Sequence, residues 1–268
     1  MSTAAKKSLS LLQFLLTTWK LNLAGAMEFR MSFSISVGTM ILNNFVWVFF
    51  WGIYFTKFPL VNGWTLQDVM MVQAIGNGAF GVAAVFFGNF IGIANIVSTG
   101  QLDTYLAQPK PVLLNVLVSK MTVSAIGDLL FCLILYGLYG VHTGLGLAKF
   151  LLALLIGAAI MVFFNVLAQS LAFFIGNAEG LGFQVFNAFL TVSLYPTNIF
   201  HGLGKLILFT ALPAGYISFL PIGLLRDWSN SFVWGAVGVA LGLALLAFRV
   251  FRIGLKRYGS GNMMTMRM

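Results

Sequence analysis

Charge is what this sequence has least of. Its 268 residues include 15 Lys+Arg and 6 Asp+Glu, 8% of the chain, against 60% hydrophobic residues and a mean hydropathy of +0.96. A soluble domain of that length needs a polar coat that so few charges cannot supply, so the composition is that of a membrane protein. The net charge of +9 raises nucleic acid as a partner. The basic residues are scattered between apolar runs rather than gathered on one solvated face, which excludes nucleic acid and leaves membrane lipids as the partner. A single cysteine, Cys132, rules out an internal disulfide. No GxxxxGK[ST] phosphate loop and no LSGGQ-type cassette signature occurs, so nothing in the chain can cradle ATP phosphates on backbone amides. His142 and His201 stand far in sequence from any Cys, Asp or Glu set, and no serine has His and Asp in a plausible arrangement. The sequence therefore contains no expected metal ligands and no catalytic residues.

What the chain does contain is long apolar runs. A hydrocarbon core of ~30 Å takes about 20 residues of helix. On that ruler the fold class is an all-α integral membrane protein, a single transmembrane domain over 1–268 with about six spans. The spans fall near 32–54, 69–93, 113–138, 150–175, 181–200 and 232–251. Ahead of them, residues 8–27 carry Leu12, Leu15, Leu16, Trp19 and Leu23 at helical spacing, with Ser10, Gln13, Thr17 and Lys20 opposite. A cleavable leader shares the composition of this stretch, but Lys20 interrupts the apolar run, and the expectation is a helix lying in the membrane interface. Residues 204–225 are apolar but broken by Pro213 and Pro221, which predicts a re-entrant pair of short helices rather than a full span.

Lys and Arg set the orientation. With the N-terminus inside, Lys57, Lys149, Lys205 and Arg226 fall outside and the other 11 of the 15 fall inside. Both termini are then cytoplasmic, and so is the stretch GQLDTYLAQPKP, Gly100 to Pro111. Within the region 95–112, Gln101 to Ala107 allow two helical turns, while Pro109 and Pro111 forbid a continuous helix into the next span. A short helix presenting Asp103 and Tyr105 to the cytoplasm suits a soluble partner; an ordinary polar loop is the other reading.

STGQLDTYLAQPKPVLLNVL after the second span, YPTNIF at Tyr195 to Phe200, FLPIGLL at Phe219 to Leu225 and GLKRYGSGN at Gly254 to Asn262 resemble the six-span permeases of ATP-binding-cassette type 2 exporters. The likeness runs over nearly the whole chain, and the branch it is most similar to comprises bacterial drug, viologen or antibiotic exporters. It implies a permease that moves a hydrophobic or amphipathic substrate outward across the bacterial inner membrane. It also implies that ATP and Mg are bound by separate nucleotide-binding ATPase subunits, with no cofactor in this chain, and that a second permease half, identical or related, completes the unit. Gly100, Leu102, Asp103, Tyr105, Leu106 and Pro109 would then couple the permease to the ATPase.

Polar residues inside spans are the remaining candidates. Asn43, Asn77, Asp128 and Asn165 could line a substrate path, although the amides in such spans more often serve as hydrogen-bonding glue between helices; Asn44, Asn89 and Gln169 carry the same two readings. Asp128 could contact a cation or simply pack. An ion-gradient-driven transporter is the alternative function, but it usually shows several intramembrane charges and broken helices in two related halves. A membrane-embedded enzyme would need clustered His or carboxylates, which the sequence lacks.

Overall fold

The computed structural model describes residues 3–175 and 179–259, and among these its regular secondary structure is all helix, with one isolated β-bridge between Val61 and Trp64. Helix α1, Thr3–Glu28, is followed after Phe29 by α2, Arg30–Lys57. The centre is α3, Leu66–Phe86, in which every residue from Asp68 to Ala79 is buried. Around it pack α7, Ala125–Tyr139, and α8, Gly144–Gln169; α12, Asn230–Arg257, lies against α8. In α3, 78% of the most apolar window is buried and in α8 67%, against 11% in α2 and 22% in α12. The first two therefore form the core, and the last two are left to face lipid or another chain.

Local chemistry explains where the helices begin. Thr65 and Asp68 form a capping box, the Thr65 backbone N–H donating to Asp68 Oδ2 at 2.9 Å. Thr143 Oγ1 accepts from the Gly146 N–H at 3.0 Å, which starts α8 six residues before the expected position. Gly127 lets α2 and α7 touch, because a Cβ there would meet the Val37 carbonyl oxygen at 2.6 Å and Met40 Cβ at 2.8 Å. Gly127→Val is expected to cost about 1–3 kcal/mol by overpacking, read as a lower midpoint of heat-induced unfolding in detergent.

About six spans were expected. Among the described residues, four helices (α2, α3, α8 with its continuation to Phe173, and α12) are long and apolar enough to cross a membrane, or five spans if the bent pair over 202–226 counts as one, and two shorter apolar helices lie beside them. The third expected span, 113–138, is divided into α6, Val112–Val118, and α7, with a non-helical break over residues 119–124. The fifth is described over Glu179–Ser193 as α9, a short apolar helix, and YPTNIF forms a turn beyond it rather than its last residues. In place of a continuous helix over 204–225 there are α10, Gly202–Phe209, and α11, Ala214–Leu220, which continues to Arg226; the two parts are bent by 92°. This bent pair starts and ends at one face of the bundle. Just before it, Asn198 donates to the Val61 carbonyl at 2.8 Å, and at its end Arg226 donates to the Gly63 carbonyl at 3.2 Å and pairs with Asp68 at 2.8 Å.

Candidate functional site

Residues 95–112 lie at the opposite end of the bundle, where α3 stops. After Phe86 the chain turns through a 3-10 stretch, Gly88–Ile91, into α4, Ile93–Ser98. Gly100, at φ +76°, reverses direction as only glycine does readily, and α5, Leu102–Leu106, follows. Pro109 and Pro111 separate α5 from α6, as their missing N–H groups dictate.

α5 is a two-faced helix. Leu102 is fully buried in the core and Tyr105 half-buried, whereas Asp103, Leu106 and Pro109 are exposed. The expectation that Tyr105 presents itself to the cytoplasm is corrected: its hydroxyl lies 3.0 Å from Ser119 Oγ, on the inward side. Ser119 Oγ also accepts from Asn89 Nδ2 at 2.6 Å and donates to the Val116 carbonyl at 2.8 Å. Ser119 stands where α6 breaks, and that break is joined to the end of α3. Gly88 N–H donates to the Lys120 carbonyl and Thr122 N–H to the Ala84 carbonyl, both at 3.0 Å. Helix α1 reaches the same place, Trp19 Nε1 donating to the Phe86 carbonyl at 2.8 Å and Asn22 Nδ2 to the Val118 carbonyl at 2.9 Å. Backbone groups freed by two helix ends are thus paired with one another and with side chains from α1 and α5, which is what makes broken helices tolerable there.

The end of α12 completes the site. Partial burial first, then the Asp103 carboxylate beside it, pushes the Tyr258 phenol up to about 12, so it stays a neutral donor facing α5. Tyr258 also packs edge-on against Phe173, with ring centroids 6.4 Å apart. Of the GLKRYGSGN motif, Ser260 to Asn262 lie outside the described residues.

The polar residues within helices are not gathered at one surface. Asn43 is exposed, while its neighbour Asn44 is buried and donates to Asp128 Oδ1 at 2.6 Å. Asn77 donates to the Gln73 carbonyl within α3 at 2.8 Å, and Asn165 to the Met161 carbonyl within α8 at 2.9 Å. Gln169 Oε1 accepts from the Ala94 N–H at 3.1 Å, which ties α8 to α4. Sequence reasoning missed Ser119 altogether. Its one signal was a lone hydroxyl between an apolar run and Lys120.

Residues 41–261 match the family profile described as ABC-2 family transporter protein. The chain belongs to that family. No curated protein and no solved structure matches it significantly. This ABC-2 protein is accordingly an integral membrane permease component of an ABC transporter, and its family implies association with a nucleotide-binding ATPase carried on a separate protein. Among its described residues, no group of three or more His, Cys, Asp or Glu could hold a metal ion.

Proposed function

We propose that this permease exports a hydrophobic or amphipathic substrate, working as one of two halves with two ATPase subunits docked on the face that carries α5. The observation that supports this reading is α5 itself, a short helix bounded by Gly100 and Pro109 with one face exposed and the other hydrogen-bonded into the ends of α3 and α6. A push on the exposed face reaches the ends of α3 and α6 through Tyr105 and Ser119. In this reading 8–27 lies in the interface, 204–225 is re-entrant from the outside, and both termini are cytoplasmic in a bacterial inner membrane. The 11-to-4 distribution of Lys and Arg favours that orientation. Exposed Asn43 is placed to meet cargo or the second half, which is an identical or related chain.

The test reconstitutes the permease and its ATPase in vesicles with the ATPase outside. Cargo is expected to accumulate inside on adding ATP, and Asp103→Lys is expected to lower substrate-stimulated hydrolysis and accumulation together by repelling any basic rim on the partner. Because Asp103 faces Tyr258, Tyr258→Phe is the control and should leave both intact. Parental activity in Asp103→Lys would make the exposed face of α5 an ordinary loop. ATP-independent accumulation that follows an ion gradient would favour the alternative, for which the buried carboxyl of Asp128 is the one supporting feature.

A further inference from the structure

The side of the bundle between α3, α6, α8 and α12 carries a groove of about 360 Å³. Every described residue that lines it is apolar. Its floor is Ala158 and Val162 of α8, 6% and 5% exposed, and its edges are Leu155 and Phe248, 63% and 51% exposed. From Leu155 to Phe163 it follows α8 for about 12 Å. It has the room of roughly a dozen waters and no polar side chain to hold one, so an alkyl chain suits it and solvent does not. Both α8 and α12 are long and apolar enough to cross a membrane, which puts the groove at the depth of lipid chains.

The end of the groove nearest α5 is rimmed with cations. Phe87, which lines that end, precedes Gly88, whose N–H donates to the Lys120 carbonyl at 3.0 Å. Trp19 packs edge-on against the same Phe87, with ring centroids 6.3 Å apart, and brings Lys20 with it as the next residue of α1. On α12, Arg249 follows Phe248, and Arg252 lies one turn further along on the same face. All four basic residues are exposed, and among the described residues both ion pairs belong to Arg226 at the other end of the bundle.

A slot for an alkyl chain that ends in four unpaired cations matches a molecule in which a chain and an anion are joined. A zwitterionic headgroup would bring a positive charge to the same rim. A second copy of the chain, meeting this face about a two-fold axis, would bring the same four cations and be repelled. We propose that the groove is a binding site for an anionic phospholipid, with one acyl chain laid along α8 between Phe87 and Leu155 and the phosphate drawn to the rim of Lys20, Lys120, Arg249 and Arg252. That the lipid belongs to the cytoplasmic leaflet rests on the orientation proposed above; the site itself does not.

The permease in phosphatidylcholine nanodiscs, which offer both leaflets, is irradiated with a phosphatidylglycerol that carries a diazirine in one acyl chain, and the labelled peptides are identified by mass spectrometry. Labelling of α8 between Leu155 and Phe163 is expected to saturate as the mole fraction of this probe rises. The same diazirine chain on phosphatidylcholine should label it only in proportion to its mole fraction. Each Lys or Arg beside an anionic headgroup is worth about fivefold in affinity, so Lys120→Gln with Arg252→Gln should raise the half-saturating fraction on the order of twentyfold. Ala159→Phe fills the groove and should remove the labelling of α8 while the exposed face of α2 is labelled as before. Should Ala159→Phe fail to fold, the rim variant and the two probes on the parental protein decide. Equal labelling by the two probes, or an unchanged half-saturating fraction in the rim variant, would make the groove part of the ordinary lipid shell and overturn the site. Labelling that vanishes when the complete complex with the ATPase is irradiated would mean that a protein neighbour fills the groove, and would overturn it as well.

Discussion

Asn44→Leu should lower the stability of the protein by about 3 kcal/mol, and adding Asp128→Leu should restore most of the loss. Asn44 and Asp128 are 3% and 0% exposed, and the Asn44 amide donates to one carboxyl oxygen at 2.6 Å, while the second oxygen has no hydrogen-bond partner among the described residues. Removing Asn44 leaves a buried carboxyl with neither oxygen satisfied. Removing both partners leaves an apolar contact between α2 and α7, where Gly127 already brings the backbones together. Asp128→Asn keeps an oxygen for Asn44 to donate to, so it should melt close to the parent. The midpoints of heat-induced unfolding of the parent, Asn44→Leu, Asp128→Leu and the double variant in one detergent form a double-mutant cycle. A doubly substituted protein no more stable than Asn44→Leu would show that the pair does not act as a unit. Export of a cationic cargo measured in Asp128→Asn separates the two roles: unchanged export removes Asp128 from the substrate path and leaves it to packing.

Ser119→Ala is expected to cut export about tenfold while the complex still assembles and hydrolyses ATP at its basal rate. Ser119 Oγ receives Tyr105 from α5 and Asn89 from just beyond the end of α3, so its loss parts α5 from the core without altering the exposed face of α5. Tyr105→Phe removes one of those links and should reduce export in the same direction. The pair should be less than additive, since both act through one oxygen. The informative quantity is the ratio of molecules exported to ATP hydrolysed in reconstituted vesicles. If export and hydrolysis fall in proportion in Ser119→Ala, the junction serves docking rather than transmission.

The features legible in the sequence were those that proline, glycine and long apolar runs announce. Pro213 and Pro221 marked the bent pair, Gly100 and Pro109 bounded the short helix α5, and the two longest exposed helices emerged close to the expected limits. The break at 119–124 was not legible, because its stabilising partners, the Ala84 carbonyl and the Gly88 N–H, lie 38 and 32 residues from the groups they bond and belong to another helix's end. Nor did sequence show which of Asn43 and Asn44 turns inward, since α2 is apolar nearly all round and its periodicity marks no face. Tyr105 was misdirected for a related reason: in a helix of five residues, an uncertainty of about two residues, half a turn, exchanges the inner and outer faces.

α3 has 21 residues and therefore spans about 31 Å without a proline or a break. One end is clamped by the Thr65–Asp68 cap and the Arg226 ion pair, the other by the backbone bonds from Gly88 and Thr122. A rod held this way has no slack. It cannot stretch or shorten to absorb a displacement at its foot, and tight packing against α7 and α8 leaves tilt as its low-energy freedom. Tilt of a rigid lever is geometrically obligatory at both ends. The bent pair, fastened to the head of α3 by Arg226, would be carried with any such tilt and so keep time with α5 at the other end of the bundle.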